Sequence, residues 1–166
     1  WQDPKNPNLI IAGNDGGLVV SRDGTKTWQH CEGLPVGQFY AVAFDTNRPY
    51  RVLGGLQDNQ CWIQPTQTWD GGPNYGSSIN LGGGDGFYVA SDPNDPFTVY
   101  SESQGGAAQR MDLRTGRSRS IRPRAGTEKI RFNWSSPFIL SPHNSRTLYF
   151  GGNKLFKSVD RGDTWR

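Results

Sequence analysis

Charged residues and long apolar runs are both scarce in this chain. Of its 166 residues, 20% are charged and 33% hydrophobic. A helical bundle or coiled coil needs Ala/Leu/Glu/Lys periodicity, which is missing, and a solvated disordered chain would lack the six Trp, six Tyr and eight Phe found here. No stretch approaches the ~18 apolar residues of a bilayer span. The first residues, Trp1-Gln2-Asp3-Pro4, are neither basic nor apolar, so the sequence reads as soluble, without membrane insertion, and past any targeting signal. Cysteine is limited to Cys31 and Cys61, which form no metal motif, and neither metal nor cofactor is expected. A net charge of +3 is too small to imply nucleic acid. The one local excess is Arg110, Arg114, Arg117, Arg119, Arg122, Arg124 and Arg131, several of them at alternate positions of an apparent outer strand, which reads as a solvated face in preference to an anion site. What is abundant is glycine and proline, together about a fifth of the chain, which leaves one domain of short strands joined by tight turns.

Self-similarity organises those strands. Asp3-Pro4-Lys5-Asn6-Pro7, Asp45-Thr46-Asn47-Arg48-Pro49, Asp92-Pro93-Asn94-Asp95-Pro96 and Ser141-Pro142-His143-Asn144-Ser145 each precede an apolar run, at intervals of about 42 to 49 residues. Such a period with several β-type runs per repeat is that of β-propeller blades, whereas helical repeats would show a 3.6-residue period. Each repeat reads as a four-stranded antiparallel meander. Strand A lies before the turn (39–44, 87–90, 137–140) and strand B after it (9–12, 51–53, 98–100, 147–150). Strand C follows (18–21, 61–64, 109–113, 155–158), then a polar strand D such as 27–31 or 118–122. The expectation is one all-β partial propeller of three and a half to four blades, at approximately 1–32, 33–70, 71–123 and 124–166. The first repeat lacks its strand A and the last stops as strand D begins. The segment is therefore expected to belong to a larger propeller, or copies to associate end to end, because open sheet edges are normally covered.

The turn between strands C and D carries the most specific motif. Ser158-Val159-Asp160-Arg161-Gly162-Asp163-Thr164-Trp165 fits S-x-D-x-G-x-T-W throughout, and Ser21-Arg22-Asp23-Gly24-Thr25-Lys26-Thr27-Trp28 fits except for Thr25 at the Gly position, where Gly24 can absorb the positive φ. The chain thereby resembles the BNR/Asp-box propellers, which include sialidases, sortilin-like (Vps10) domains and other glycoside hydrolases. The sortilin-like group is the nearest in character, through Gly54-Gly55-Leu56-Gln57-Asp58-Asn59 and Gly82-Gly83-Gly84-Asp85-Gly86-Phe87. Physically the motif is a staple: Asp accepts N–H bonds within its own turn, Gly takes the awkward dihedral and Trp packs between sheets. Ser21, Asp23, Thr27, Trp28, Ser158, Asp160, Gly162, Thr164 and Trp165 are read as structural.

Function is expected on the opposite, B–C and D–A, face, where rigid strands hold the variable loops. The B–C turns supply Asp15, Gln57, Asp58, Asn59, Gln104 and Asn153. Sequences taken as D–A connections supply Tyr75, Asp85, Arg131, Asn133 and Trp134, Asp85 directly preceding an innermost strand. Asn133-Trp134-Ser135 also fits a glycosylation sequon, a pattern short enough to arise by chance. Two readings follow. One is a non-catalytic binding or scaffold propeller, secreted or periplasmic, holding a protein, peptide or glycan on that face. The other is a glycoside hydrolase using Asp58 and Asp85, which needs carboxylates ~5–5.5 Å or ~6.5–9.5 Å apart. Sialidase chemistry fits poorly, since no arginine cluster with a tyrosine nucleophile is identifiable. Binding is favoured, because a fold alone carries no catalysis. Cys31 and Cys61 are expected as free, partly buried thiols. The inter-blade core is expected from Val42, Phe44, Val52, Leu53, Trp62, Phe87, Val89, Val99, Tyr100, Met111, Phe138, Leu140, Leu148, Phe150 and Phe156, joined by Trp28 and Trp165.

Overall fold

The repeated segment acts as an Asx turn. The side chain opening each repeat accepts the backbone N–H two residues on: Lys5 to Asp3 at 2.9 Å, Asn47 to Asp45 at 3.2 Å, Asn94 to Asp92 at 2.9 Å and His143 to Ser141 at 3.3 Å. Such a bond reverses the chain over a few residues, so the runs on either side pair as antiparallel neighbours. A computed structural model describes residues 1–32, 37–124 and 129–166 and divides the chain into two compact units, Trp1–Val36 and Gly37–Arg166. The expected boundary at residue 33 lies outside the described residues.

In the first unit β1 (Ile10–Asn14), β2 (Gly17–Ser21) and β3 (Gln29–His30) form a sheet in that order. The inner strand expected to be missing has a short counterpart: Gln2 bridges Ile10, and Trp1 exchanges both backbone hydrogen bonds with Ile11 at 2.8 Å.

Among its described residues the second unit holds three sheets. The first of them has the order β4 (Phe39–Phe44), β5 (Arg51–Leu56), β6 (Cys61–Pro65), β7 (Ile79–Gly82), and the next β8 (Gly86–Asp92), β9 (Asp95–Ser103), β10 (Ala107–Asp112), β11 (Arg117–Ser120). The last comprises β12 (Phe138–Ser141), β13 (Asn144–Gly151) and β14 (Leu155–Ser158), and Lys157 exchanges two further backbone bonds with Arg166 at 2.9 and 3.0 Å. Every pairing is antiparallel and sequential. One strand differs from expectation: β7 lies beyond residue 70, within the stretch read as a D–A connection, so its sheet continues past that boundary and 66–78 is a C–D connection, with a 3-10 turn at Tyr75–Ser77.

Sheets pack face to face through two apolar clusters. Leu53, Cys61, Ile63 and Leu81 meet Val89 and Val99, while Tyr100, Ala108 and Ile121 meet Phe138, Leu148, Phe150 and Phe156. Each buried Val, Leu, Ile or Phe side chain among them contributes on the order of 1.5–3 kcal/mol. Val42 and Phe44, expected in this core, are instead 64% and 77% exposed, because strand alternation sends Ala43 to the cluster and its neighbours to the opposite face. Trp28 is likewise 45% exposed, and Val52, Trp62, Met111 and Leu140 are half-buried.

The Asp-box turns have the internal bonding their sequence specifies. Thr164 donates its N–H and hydroxyl to Asp160 at 2.9 and 2.5 Å, and Ser158 adds 2.7 Å; the equivalent bonds to Asp23 are 2.9, 2.6 and 2.9 Å. The Thr164 bonds, above all, hold the Asp160 carboxyl down to about 2. Trp165 packs on Phe150 at 6.1 Å and its indole donates to Ile121 O at 2.8 Å. Gly24 does not absorb the positive φ alone: Thr25 also sits at +77°. The motif's variable positions clamp neighbouring sheets, through Arg161 to buried Asp92 at 2.8 Å and Asp163 to Arg110 and Arg119 at 3.1 and 2.8 Å.

Candidate functional site

Left-handed residues shape the B–C end of the second unit. In the turn after β5, Asp58 and Gln60 have φ of 58° and 68°, conformations that need outside support in non-glycine residues. Asp85 supplies it. Buried to 7% exposure just before β8, its carboxylate accepts the Asp58 N–H at 2.6 Å, while Gln60 N–H donates to Gly84 O at 3.0 Å. The approach to one sheet thus pins the B–C turn of the sheet before it. Gly55 and Gly86 make this closeness feasible, since a Cβ on either would fall 2.3 Å from a backbone oxygen of the other sheet.

The same logic recurs one sheet on. Gly105 N–H donates to Trp134 O at 3.0 Å, and Ser136 N–H to the Glu102 carboxylate at 3.2 Å. Arg131 and Asn153 are tied by two bonds, Arg131 N–H to Asn153 Oδ1 at 2.9 Å and Asn153 N–H to Arg131 O at 2.8 Å. Ser103 donates to the Gln104 carboxamide and accepts the Gly84 N–H at 3.0 Å. On the outside of this scaffold Trp134 is 62% and Tyr40 46% exposed, with Asp58, Asn59, Arg131, Asn133 and Asn153 also exposed. Tyr40 rests on Phe87 at 4.7 Å and its hydroxyl donates to the Gln57 carboxamide at 3.2 Å.

The sequence-derived candidates therefore divide. Gln57, Asp58, Asn59, Asp85, Gln104, Arg131, Asn133, Trp134 and Asn153 belong to the B–C turns and D–A connections of the second unit. Tyr75 belongs to the C–D connection rather than a D–A one, although its ring reaches back to Trp62 at 5.3 Å. Asp15 is exposed in the β1–β2 turn of the first unit, beside Gly16, whose N–H donates to Asn14 Oδ1 at 2.8 Å.

Sequence reasoning missed Glu102. It is 1% exposed on β9, one carboxylate oxygen has no hydrogen-bond partner among the described residues, and burial pushes its carboxyl up to about 7. An acidic residue in an inner strand, in Tyr100-Ser101-Glu102-Ser103, was the available signal. Its neighbour Cys61 is free and buried, its thiol 3.7 Å from Glu102 O and pushed by burial up to about 12, which makes it an inert packing group. Cys31 is also free, and half-buried.

No family model matches the sequence, and no curated protein does. Among solved structures, a GH74 enzyme of Niastella koreensis superposes on 99% of this chain with a TM-score of 0.54 at 16% identity, and the GH74 xyloglucanase of Xanthomonas campestris does so on 99% with 0.54 at 18%. The likeness is one of fold, and the chain has the architecture of β-propeller blades. It spans 28% and 29% of those two proteins.

Proposed function

We propose that this chain is a binding segment of an extracytoplasmic β-propeller that holds a glycan on the B–C/D–A face without cleaving it. One observation carries this reading: the buried carboxylates at that face serve the fold, while the exposed side chains have sugar-binding chemistry. Asp85 is bonded to the Asp58 turn and Glu102 is buried under Ser136. Trp134 and Tyr40 offer exposed rings, and Gln57, Asn59 and Asn133 offer amides that both donate and accept. The fold likeness to a xyloglucanase makes a xyloglucan oligosaccharide the first ligand to try. The other blades of the same protein, or further copies of this chain, would complete the ring.

A hydrolytic reading draws on one fact, the adjacency of Asp58 to Asp85. It requires Asp85 to leave its structural bond and take part in acid–base work. Incubation with xyloglucan oligosaccharides separates the two: binding with the sugar recovered intact supports the first, and release of shorter products supports the second.

A further inference from the structure

The arginine-rich hairpin of the β8–β11 sheet is only partly neutralised. Asp163 is shared by Arg110 and Arg119, and Arg114 is paired with Asp95 at 2.5 Å and Asp112 at 3.6 Å. Arg117, Arg122 and Arg124 have no acidic partner among the described residues. Arg122 and Arg124 join Arg119 along a groove of about 360 Å³ between the outer strand of this sheet and the Asp-box turn of the next. Asp163 is the one carboxylate among the described residues lining it, and two guanidiniums already share it.

The groove is organised as well as positive. The Arg122 guanidinium lies over the Phe132 ring at 4.9 Å, which fixes its plane and lowers the ordering cost of a two-pronged bond to an oxyanion. Ser120 brings a hydroxyl to the same wall, whereas that of Thr164 is already donated to Asp160. Flat stacking surface is lacking among the described lining residues: their one aromatic, Trp165, packs on Phe150 and donates to Ile121 O. Single-stranded nucleic acid draws much of its affinity from stacking on exposed rings. We therefore propose that this groove on the outer edge of the sheets, which follows β11 into the connection toward β12, binds the carboxylate or sulfate groups of an acidic polysaccharide.

Retention of the protein on immobilised polygalacturonate, dextran sulfate and uncharged dextran at rising salt tests this, with a single-stranded oligodeoxynucleotide as competitor. The expected result is salt-sensitive retention on an acidic polymer and none on dextran, weakened about tenfold or more in the R122A/R124A variant, since each lost ionic contact also flattens the salt dependence. R124E, a change at an exposed side chain with no acidic partner among the described residues, should weaken retention with an unchanged circular dichroism spectrum, which guards against misfolding of the double variant. Preference for polygalacturonate assigns the site to uronates, and preference for dextran sulfate assigns it to sulfate esters. Equal retention of the variants, retention on dextran, no retention at low salt, or stronger displacement by the oligonucleotide than by free glycan would each overturn the proposal.

Discussion

Thr25 pays a backbone penalty that its counterpart Gly162 avoids. Both lie at the third position after the Asp-box serine's neighbour, in the left-handed region, with φ of 77° and 88°. A β-branched residue there costs on the order of 1–2 kcal/mol. Thr25→Gly is expected to raise the stability of the Trp1–Val36 unit by about 1 kcal/mol, read from hydrogen exchange of β1 and β2 amides; unchanged or lower protection would contradict it. Gly162→Ala should act oppositely, because a Cβ at that position would sit 2.8 Å from Ile121 Cβ at the core. A loss of about 2 kcal/mol or more in chemical denaturation is expected. Glu102 makes stability depend on pH in a definite direction. Its folded value of about 7 exceeds the ordinary 4.5, so the folded chain keeps a proton that the unfolded chain releases. Stability from this group is full below about pH 4.5, falls between there and about 7, and levels off above, a loss of roughly 3 kcal/mol. Glu102→Gln should flatten that part of the denaturation midpoint–pH profile; a profile identical to the parent's would show that Glu102 is not its source.

At the scale of elements, what was legible in the sequence was what is encoded locally. The Asx turns and the Asp-box staple are each closed by side chains within a few residues of one another, so motif and spacing contain the whole interaction. Strand β7 was not legible, because Ile79-Asn80-Leu81-Gly82 is short, sits among Gly and Ser, and follows a C–D connection that has lost the box. Asp85 was singled out for its place before an inner strand, but its bond to a turn 27 residues away could not be seen. Glu102 escaped notice for a similar reason: its character comes from burial under a segment 34 residues distant. If Asp85 is a pin, Asp85→Ala should speed exchange of the Asp58 amide while the β9 and β13 amides stay protected. Uniform loss of protection would mean a wider role in the core, and no change at Asp58 would mean that the turn holds itself.

At the scale of the molecule, the sheets of the Gly37–Arg166 unit leave a floor at their B–C/D–A end, held in part by the buried carboxylates of Asp85 and Glu102. Trp134 stands on that floor by way of the Gly105 bond, so its ring can be removed without touching an apolar cluster. The first claim to test is therefore that this face binds sugar and leaves it whole. Calorimetric titration of the protein and its W134A variant with xyloglucan oligosaccharides, followed by mass spectrometry of the recovered sugar, does so most directly. The expected outcome is a binding isotherm for the parent, a weakening of about tenfold, or roughly 1–3 kcal/mol, in the variant, and oligosaccharides of unchanged mass. Shorter products, or binding indifferent to the loss of Trp134, would contradict it.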